Sequence, residues 1–306
     1  MEEYFYYRNF KMGIELDIAG DFIYDGINSL KSIESFEVES EVFSFLYHIS
    51  VGIERIQKII IVISEEIRDI KEFEESLKTH SHKGLHDRIR GKRKVDFNSR
   101  QNRFLDLISD FYNNSRYNNY LVSGDVNKDI IAVNEFLDKH TQEIQEVNYF
   151  EENLDRRKET LGRVIGSIVK TYYNIIQEIC SEKNIYTDEI RYDSKALQIF
   201  LPEYRKNSLV TINKDEVIAM KELLIYLANS EQSNEFMDFL RSIEPLDIDV
   251  ANIKEYLCSI VIGKVPQDLI YEIEELYSEE NIKEDIKNRV EQLNVIGNKR
   301  IYFYDE

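Results

Sequence analysis

Proline is nearly missing from this chain of 306 residues: Pro202, Pro245 and Pro266 are the only three, so the first 201 residues go without the strongest helix breaker. Long helices are the expectation there. Uninterrupted apolar runs such as Ile59 to Ile63 are far short of the ~20 residues that cross a bilayer, and the acidic start Glu2-Glu3 is unlike the basic start of a signal peptide. These absences predict a soluble, cytoplasmic protein with no membrane partner. Cys180 and Cys258 stand 78 residues apart in apolar surroundings, without CxxC or Cys/His spacing, and are expected to be buried thiols, neither a disulfide nor a zinc site. Positive charge is scarce too: Lys plus Arg number 39 against 58 Asp plus Glu, a net charge of −19. That excludes coating nucleic acid or anionic membrane with the whole surface, and any polyanion partner needs a local basic site. No Walker A loop, Gly-x-Gly-x-x-Gly or Gly-x-Ser-x-Gly elbow occurs, so no nucleotide cofactor is implied.

What remains is globular and helical. At about twice the ~150-residue prior for one domain, the length suggests two compact units, and a hydrophobic content of 42% rules out global disorder. Ile53, Ile56, Ile60 and Ile63 recur at spacings of three and four, as do Phe104, Ile108 and Phe111, the signature of amphipathic bundle helices. Helices are expected over about 12–33, 39–64, 66–79, 98–121, 128–140 and 150–183. Past Tyr186 the short apolar runs Leu197 to Leu201 and Leu209 to Ile212 flank a polar loop and read as a small β-hairpin. Helices then resume at about 214–229, 232–242, 250–261, 266–278 and 281–294, with Ile301 to Tyr304 as a candidate edge strand. The expected fold is mainly α: an antiparallel helical bundle over 1–125, divided near Gly124 from an α-rich region over 126–306 with strands near 197–212.

One window departs from the acidic average. Between Lys83 and Arg103 lie Lys83, Arg88, Arg90, Lys92, Arg93, Lys94, Arg100 and Arg103 against Asp87 and Asp96 alone, and His80, His82 and His86 stand just before or inside the stretch. It thus gathers groups that bind phosphate and groups that exchange protons near neutral pH. Two readings compete: a solvated loop whose cations balance acidic faces nearby, and a positive potential that receives a phosphate. His82 and His86 share a helical face at i, i+4, yet no third ligand has metal-site spacing, so no metal is expected.

Three segments come in a recognisable order: Gly52-Ile53-Glu54-Arg55-Ile56-Gln57-Lys58, Thr79-His80-Ser81-His82-Lys83-Gly84-Leu85 and Ser115-Arg116-Tyr117. Over about residues 12–121 the chain resembles the HEPN superfamily of small helical bundles from prokaryotic toxin–antitoxin and anti-phage defence systems. The resemblance implies a homodimer that contacts RNA and, in catalytic members, a metal-independent ribonuclease with four to six residues between its Arg and its His. That motif is not met here: Leu121, Val122 and Ser123 occupy the places where the histidine would follow Arg116. If cleavage survives, His80 or His82 with Arg88 or Arg116 would supply the base and the cation, and Lys83, Arg88, Arg90, Arg93, Lys94, Arg100, Arg103 and Tyr120 would hold phosphate or RNA.

Beside the resemblance, Arg116 follows Tyr112 by four residues and can stack on its ring, and Glu54 with Lys58 makes a favourably ordered helical ion pair. The terminal tracts Tyr4-Phe5-Tyr6-Tyr7 and Tyr302-Phe303-Tyr304 read as core or interface packing. Asp249 reads as a helix N-cap worth about 1 kcal/mol. The acidic stretch Asp268 to Asp285 is either a solvated face or a surface for a basic protein. The functional expectation is therefore a defence- or toxin-associated protein that binds RNA or nucleotide phosphates at the basic island. The alternative is a non-catalytic adaptor or antitoxin-like module with a protein partner.

Overall fold

A computed structural model describes residues 2–125, 127–142, 149–185, 194–201, 209, 214–261, 263–279 and 283–303. In chain order its helices are α1 (Glu2–Tyr6), a π-helical turn (Tyr7–Lys11), α2 (Met12–Ser32), α3 (Glu39–Ser64), α4 (Ile70–Ser76), α5 (His82–Arg90) and α6 (Ser99–Asp110). A second π-helical turn (Phe111–Ser115) and a 3₁₀ turn (Asn118–Tyr120) follow, then α7 (Lys128–His140), α8 (Tyr149–Lys183) and α9 (Lys195–Phe200). The series ends with α10 (Lys214–Asn229), α11 (Glu235–Ser242), α12 (Ile253–Val261), α13 (Gln267–Glu279) and α14 (Lys283–Leu293). None of the described helices is long and apolar enough to cross a membrane.

The chain divides into two compact units, 1–212 and 213–306. The division lies well beyond the boundary expected near Gly124. Its physical reason is long-range packing: α7 and α8, which the sequence reading put in the second half, both pack on α3 and α6.

α3 is the axis of the first unit. Its residues Ser50 to Ile63 are buried except at Arg55 and Lys58, and α2, α5, α7 and α8 pack around it. Glycine permits the closest crossing, since a Cβ on Gly52 would stand 2.5 Å from Ile23 Cγ1 and 3.1 Å from the Ala19 carbonyl oxygen. The last carbonyls of α3 are claimed by cations: Arg8 donates to Val62 and Glu65, and Lys183 Nζ to Ile63 and Ser64. The shorter helices are started by side chains. Asp69 caps α4, Ser81 caps α5, and Asn98 with Gln101 closes a reciprocal capping box on α6.

The expected hairpin is corrected. Leu197 to Leu201 lies mostly in α9, whose start is capped by Ser194 Oγ, and Ala196, Ile199 and Phe200 are buried, Ala196 against Gly20 of α2. A short apolar run ending at a proline fits a helical turn as well as a strand, and α2 offers it a surface. Of the second expected strand only Leu209 is described, buried and in a helical turn, while 210–212 lie outside the described residues. No strand occurs among the described residues, and Ile301 to Phe303 is irregular; Tyr304 is outside them.

In the second unit α10 packs on α12. Tyr256 is buried with its hydroxyl donating to Glu272, and Phe303 sits between Phe236 and Phe239. Asp249 does not cap α12. It accepts from the Ala251 N–H in a turn ahead of the helix. Cys180 is buried as expected, with its thiol pushed up to about 11 by burial, whereas Cys258 is exposed.

Candidate functional site

A cleft of about 590 Å³ opens beside the middle of α3. Both π-helical turns contribute to it, Tyr7 and Lys11 from the first and Tyr112 from the second. A π turn inserts one residue into a helix and re-aims the side chains after it, a device frequent at functional sites.

On the cleft wall His80, just ahead of α5, points Nδ1 at Glu54 of α3, 3.0 Å from Oε2 and 3.3 Å from Oε1. A carboxylate only accepts, so Nδ1 carries the proton and Nε2 is left to take or give one. Glu54 is nearly buried, with a side chain 9% exposed, and also accepts from Lys58 Nζ at 2.7 Å, while the His80 side chain is 49% exposed. The loop that carries His80 is anchored as well, for Asn113 Nδ2 donates to the His80 carbonyl at 3.0 Å. On the opposite rim Arg55 of α3 pairs with Glu15 of α2.

Tyr112 joins the imidazole to a cation. Its ring lies 5.4 Å from that of His80, and the Arg116 guanidinium stands 4.0 Å from the ring centroid and 4.8 Å from that of Tyr117. The stacking anticipated from the i, i+4 spacing is thus present, although a π turn intervenes. Burial and then the Glu54 carboxylate raise the Tyr112 hydroxyl above its ordinary pKa, so it remains a neutral donor. Arg116 Nε is buried and has no partner among the described residues. Of the expected catalytic group, His80 and Arg116 therefore share Tyr112 as a neighbour, and the His82 ring also stands 5.8 Å from it.

His82 differs in its burial. It is fully buried, and its Nε2–H donates to the Ser50 carbonyl at 2.8 Å; burial above all pulls its pKa down. His86 is buried too, its Nδ1 accepting from the Tyr172 hydroxyl at 2.8 Å while Gln57 Nε2 donates to that hydroxyl and to the His82 carbonyl, both at 2.9 Å. Both imidazoles are core groups, and His82 is removed from the catalytic candidates. No cluster of three potential metal ligands occurs among the described residues.

The basic island splits into two populations. Arg88 grips Glu65 with two hydrogen bonds of 2.8 and 2.6 Å, and Arg93 grips Glu182 likewise. Lys83 pairs with Asp106, Arg90 with Asp87 at 3.9 Å, and Lys94 with Asp96. For these five the charge-balancing reading holds, because the carboxylate partners come from the residue after α3, from α6 and from α8 as well as from the island itself. Lys92, Arg100 and Arg103 differ, being exposed with no ion pair among the described residues. Tyr120 is 85% exposed beside Tyr117. Glu54 as the partner of His80 was not visible in the sequence, since 26 residues separate them.

Compared with known protein families, with characterised proteins and with solved structures, the chain gives no match.

Proposed function

We propose that the chain is a phosphate-recognising, HEPN-like helical protein that acts on RNA as a homodimer, with His80 as its proton-transfer group and no metal in the step. The observation that supports this is a half-exposed imidazole, fixed by a nearly buried carboxylate, facing an open cleft beside an aromatic-stacked arginine. Such an orientation leaves Nε2 free to accept the proton of a ribose 2′-hydroxyl as its oxygen bonds to phosphorus and the 5′-oxygen departs, to be protonated by water. Lys58 and Arg116 are the cations on hand for the charge that builds on the phosphate.

The test is incubation of the purified protein with RNA in the presence of a chelator. His80→Ala should lower cleavage about 100-fold or more, the usual worth of a positioned general base, and Glu54→Gln should lower kcat with little change in KM. Cleavage by His80→Ala at the wild-type rate would refute the assignment. A second reading, a module that docks a protein partner, is favoured by α10, where Ile218, Leu223, Ile225, Tyr226 and Leu227 are each more than 40% exposed. Recovery of a stoichiometric protein in place of RNA, with no cleavage by the wild type, would decide for it.

A further inference from the structure

We propose that the first unit holds a second, separate site for a multiply charged phosphate, in the cleft between the first turn of α6, the last turn of α7 and the first half of α8. The cleft encloses about 510 Å³, within the range of small-molecule sites, roughly 300–1,000 Å³. Among its described lining residues stand four permanent cations, Arg100, Lys139, Arg156 and Arg163, against one carboxylate, Glu159. It shares no lining residue with the His80 cleft, and rests on the reading above only for the chemical class of its ligand.

The pairing pattern carries the argument. In a chain with 58 acidic side chains, a cation meant only for solubility or stability has partners in plenty, as Arg88 and Arg93 show. Arg156 is paired with Glu152 and Arg163 with Glu159, but Arg100 and Lys139 have no ion pair among the described residues and face the same space from different helices. Three elements bring like charges together at a repulsive cost, and an anion between them relieves it.

Two further features point the same way. His140 lies at the junction, lining this cleft and both its neighbours, and its Nε2 is sealed from solvent with no hydrogen-bond partner among the described residues. Burial, then Arg100, Arg103 and Lys139, pull its pKa down; Phe136 packs 4.7 Å from its ring, and the carboxylates that share its clefts are Glu159 in this one and Asp110, Asp129 and Glu135 in the neighbour. The adjoining cleft is walled by Asn98, Ser99, Arg100 and Gln101, the start of α6, whose helix dipole adds positive potential.

The experiment is calorimetric titration of the full chain with pyrophosphate at low ionic strength, beside proton NMR of the histidine ring resonances. Expected are saturable binding, a rise in the pKa of His140 on saturation, and at least a tenfold loss of affinity in R100E/K139E. Both positions are exposed, so the fold should survive; R100Q/K139Q, with a smaller loss, guards against misfolding of the reversed variant. Uridine triphosphate and an oligouridylate run in parallel separate a free nucleotide from a strand as the source of the phosphate, and the proposal stands with either. His80→Ala should bind pyrophosphate like wild type, so undiminished RNA cleavage by His80→Ala, or no cleavage by the wild type, with pyrophosphate binding intact would sink only the catalytic reading. No binding of pyrophosphate, or binding undiminished in R100E/K139E, would overturn the second site.

Discussion

Replacing Tyr172 by Phe tests the buried polar network that holds α3, α5 and α8 together. The phenol hydroxyl accepts from Gln57 and donates to His86, and its burial pushes the pKa far above the ordinary range, so it is a fixed neutral hydrogen-bonding group. Deleting one oxygen strands two core groups, a Gln57 N–H and His86 Nδ1, at about 1–3 kcal/mol each, while the ring packing is kept. The expected loss is about 2–5 kcal/mol, read as a fall in the urea midpoint at unchanged m-value. Adding Gln57→Leu should cost less than the two single losses combined, because the second change removes a group that the first left unpaired. Acid provides a second readout. His82 and His86 are held neutral in the fold, chiefly by burial, and His86 also by Arg90, while the unfolded chain protonates both near pH 6.5. Stability should therefore fall as pH drops below about 6.5 toward the depressed folded values, and level off beneath them. Loss of the Tyr172 bond, which favours neutral His86, should shrink that acid slope. A Y172F loss under about 0.5 kcal/mol, the level of an ordinary surface change, would refute the reasoning.

Other consequences are simpler to read. Arg88→Glu should destabilise the fold by about 1–3 kcal/mol through Glu65, by urea titration, and leave pyrophosphate affinity within twofold. Gly52→Ala should cost about 1–3 kcal/mol or more by thermal melting, since its Cβ meets Ile23 and the α2 backbone, which cannot swing aside. A thiol reagent should modify Cys258 and spare Cys180 in the native protein, with Cys180 reacting only in denaturant, as mass spectrometry of the labelled chain would show.

How much of this was legible in the sequence depends on the range of the interaction. α3 and α7 occupy 39–64 and 128–140 as expected, because apolar periodicity and the lack of proline are local signals that the core then reinforces. The Arg116–Tyr112 stack and the Lys58–Glu54 pair were legible for the same reason, each spanning one helical turn. The run 197–201 was not, because four apolar residues around Gln198 suit either period until a surface is supplied, and the surface is α2. The unit boundary was misplaced because the polar loop near Gly124 is a local feature, whereas the packing of α8 on α3 is not. At the sites, the density of cations singled out Arg100 and Arg103, but only the fold shows that Arg88 and Arg93 are held by Glu65 and by Glu182, 89 residues from Arg93. Lys139, His140, Arg156 and Arg163 gave no local signal, since each joins Arg100 only through the meeting of three helices.

An attractive cleft within an acidic body also sets the expected response to salt. Its cations act over the few ångströms between side chain and phosphate, whereas the repulsion from the rest of the chain, net −19 overall, is spread over the whole surface and acts at a distance. Salt shortens the screening length from about 30 Å at 0.01 M to about 8 Å at 0.15 M, and so removes the distant repulsion before it removes the contact attraction. A compact diphosphate sits inside the cleft and feels mostly the attraction, so its affinity should fall as salt rises. A long oligoribonucleotide runs out over acidic surface, and its dependence should be shallower than the ordinary single-strand slope of about −0.7 per phosphate contact. Titrations of both ligands across that salt range compare the two slopes directly. A strand slope as steep as the ordinary one would mean that the strand follows a basic track outside this cleft, and would move the nucleic-acid contact away from it.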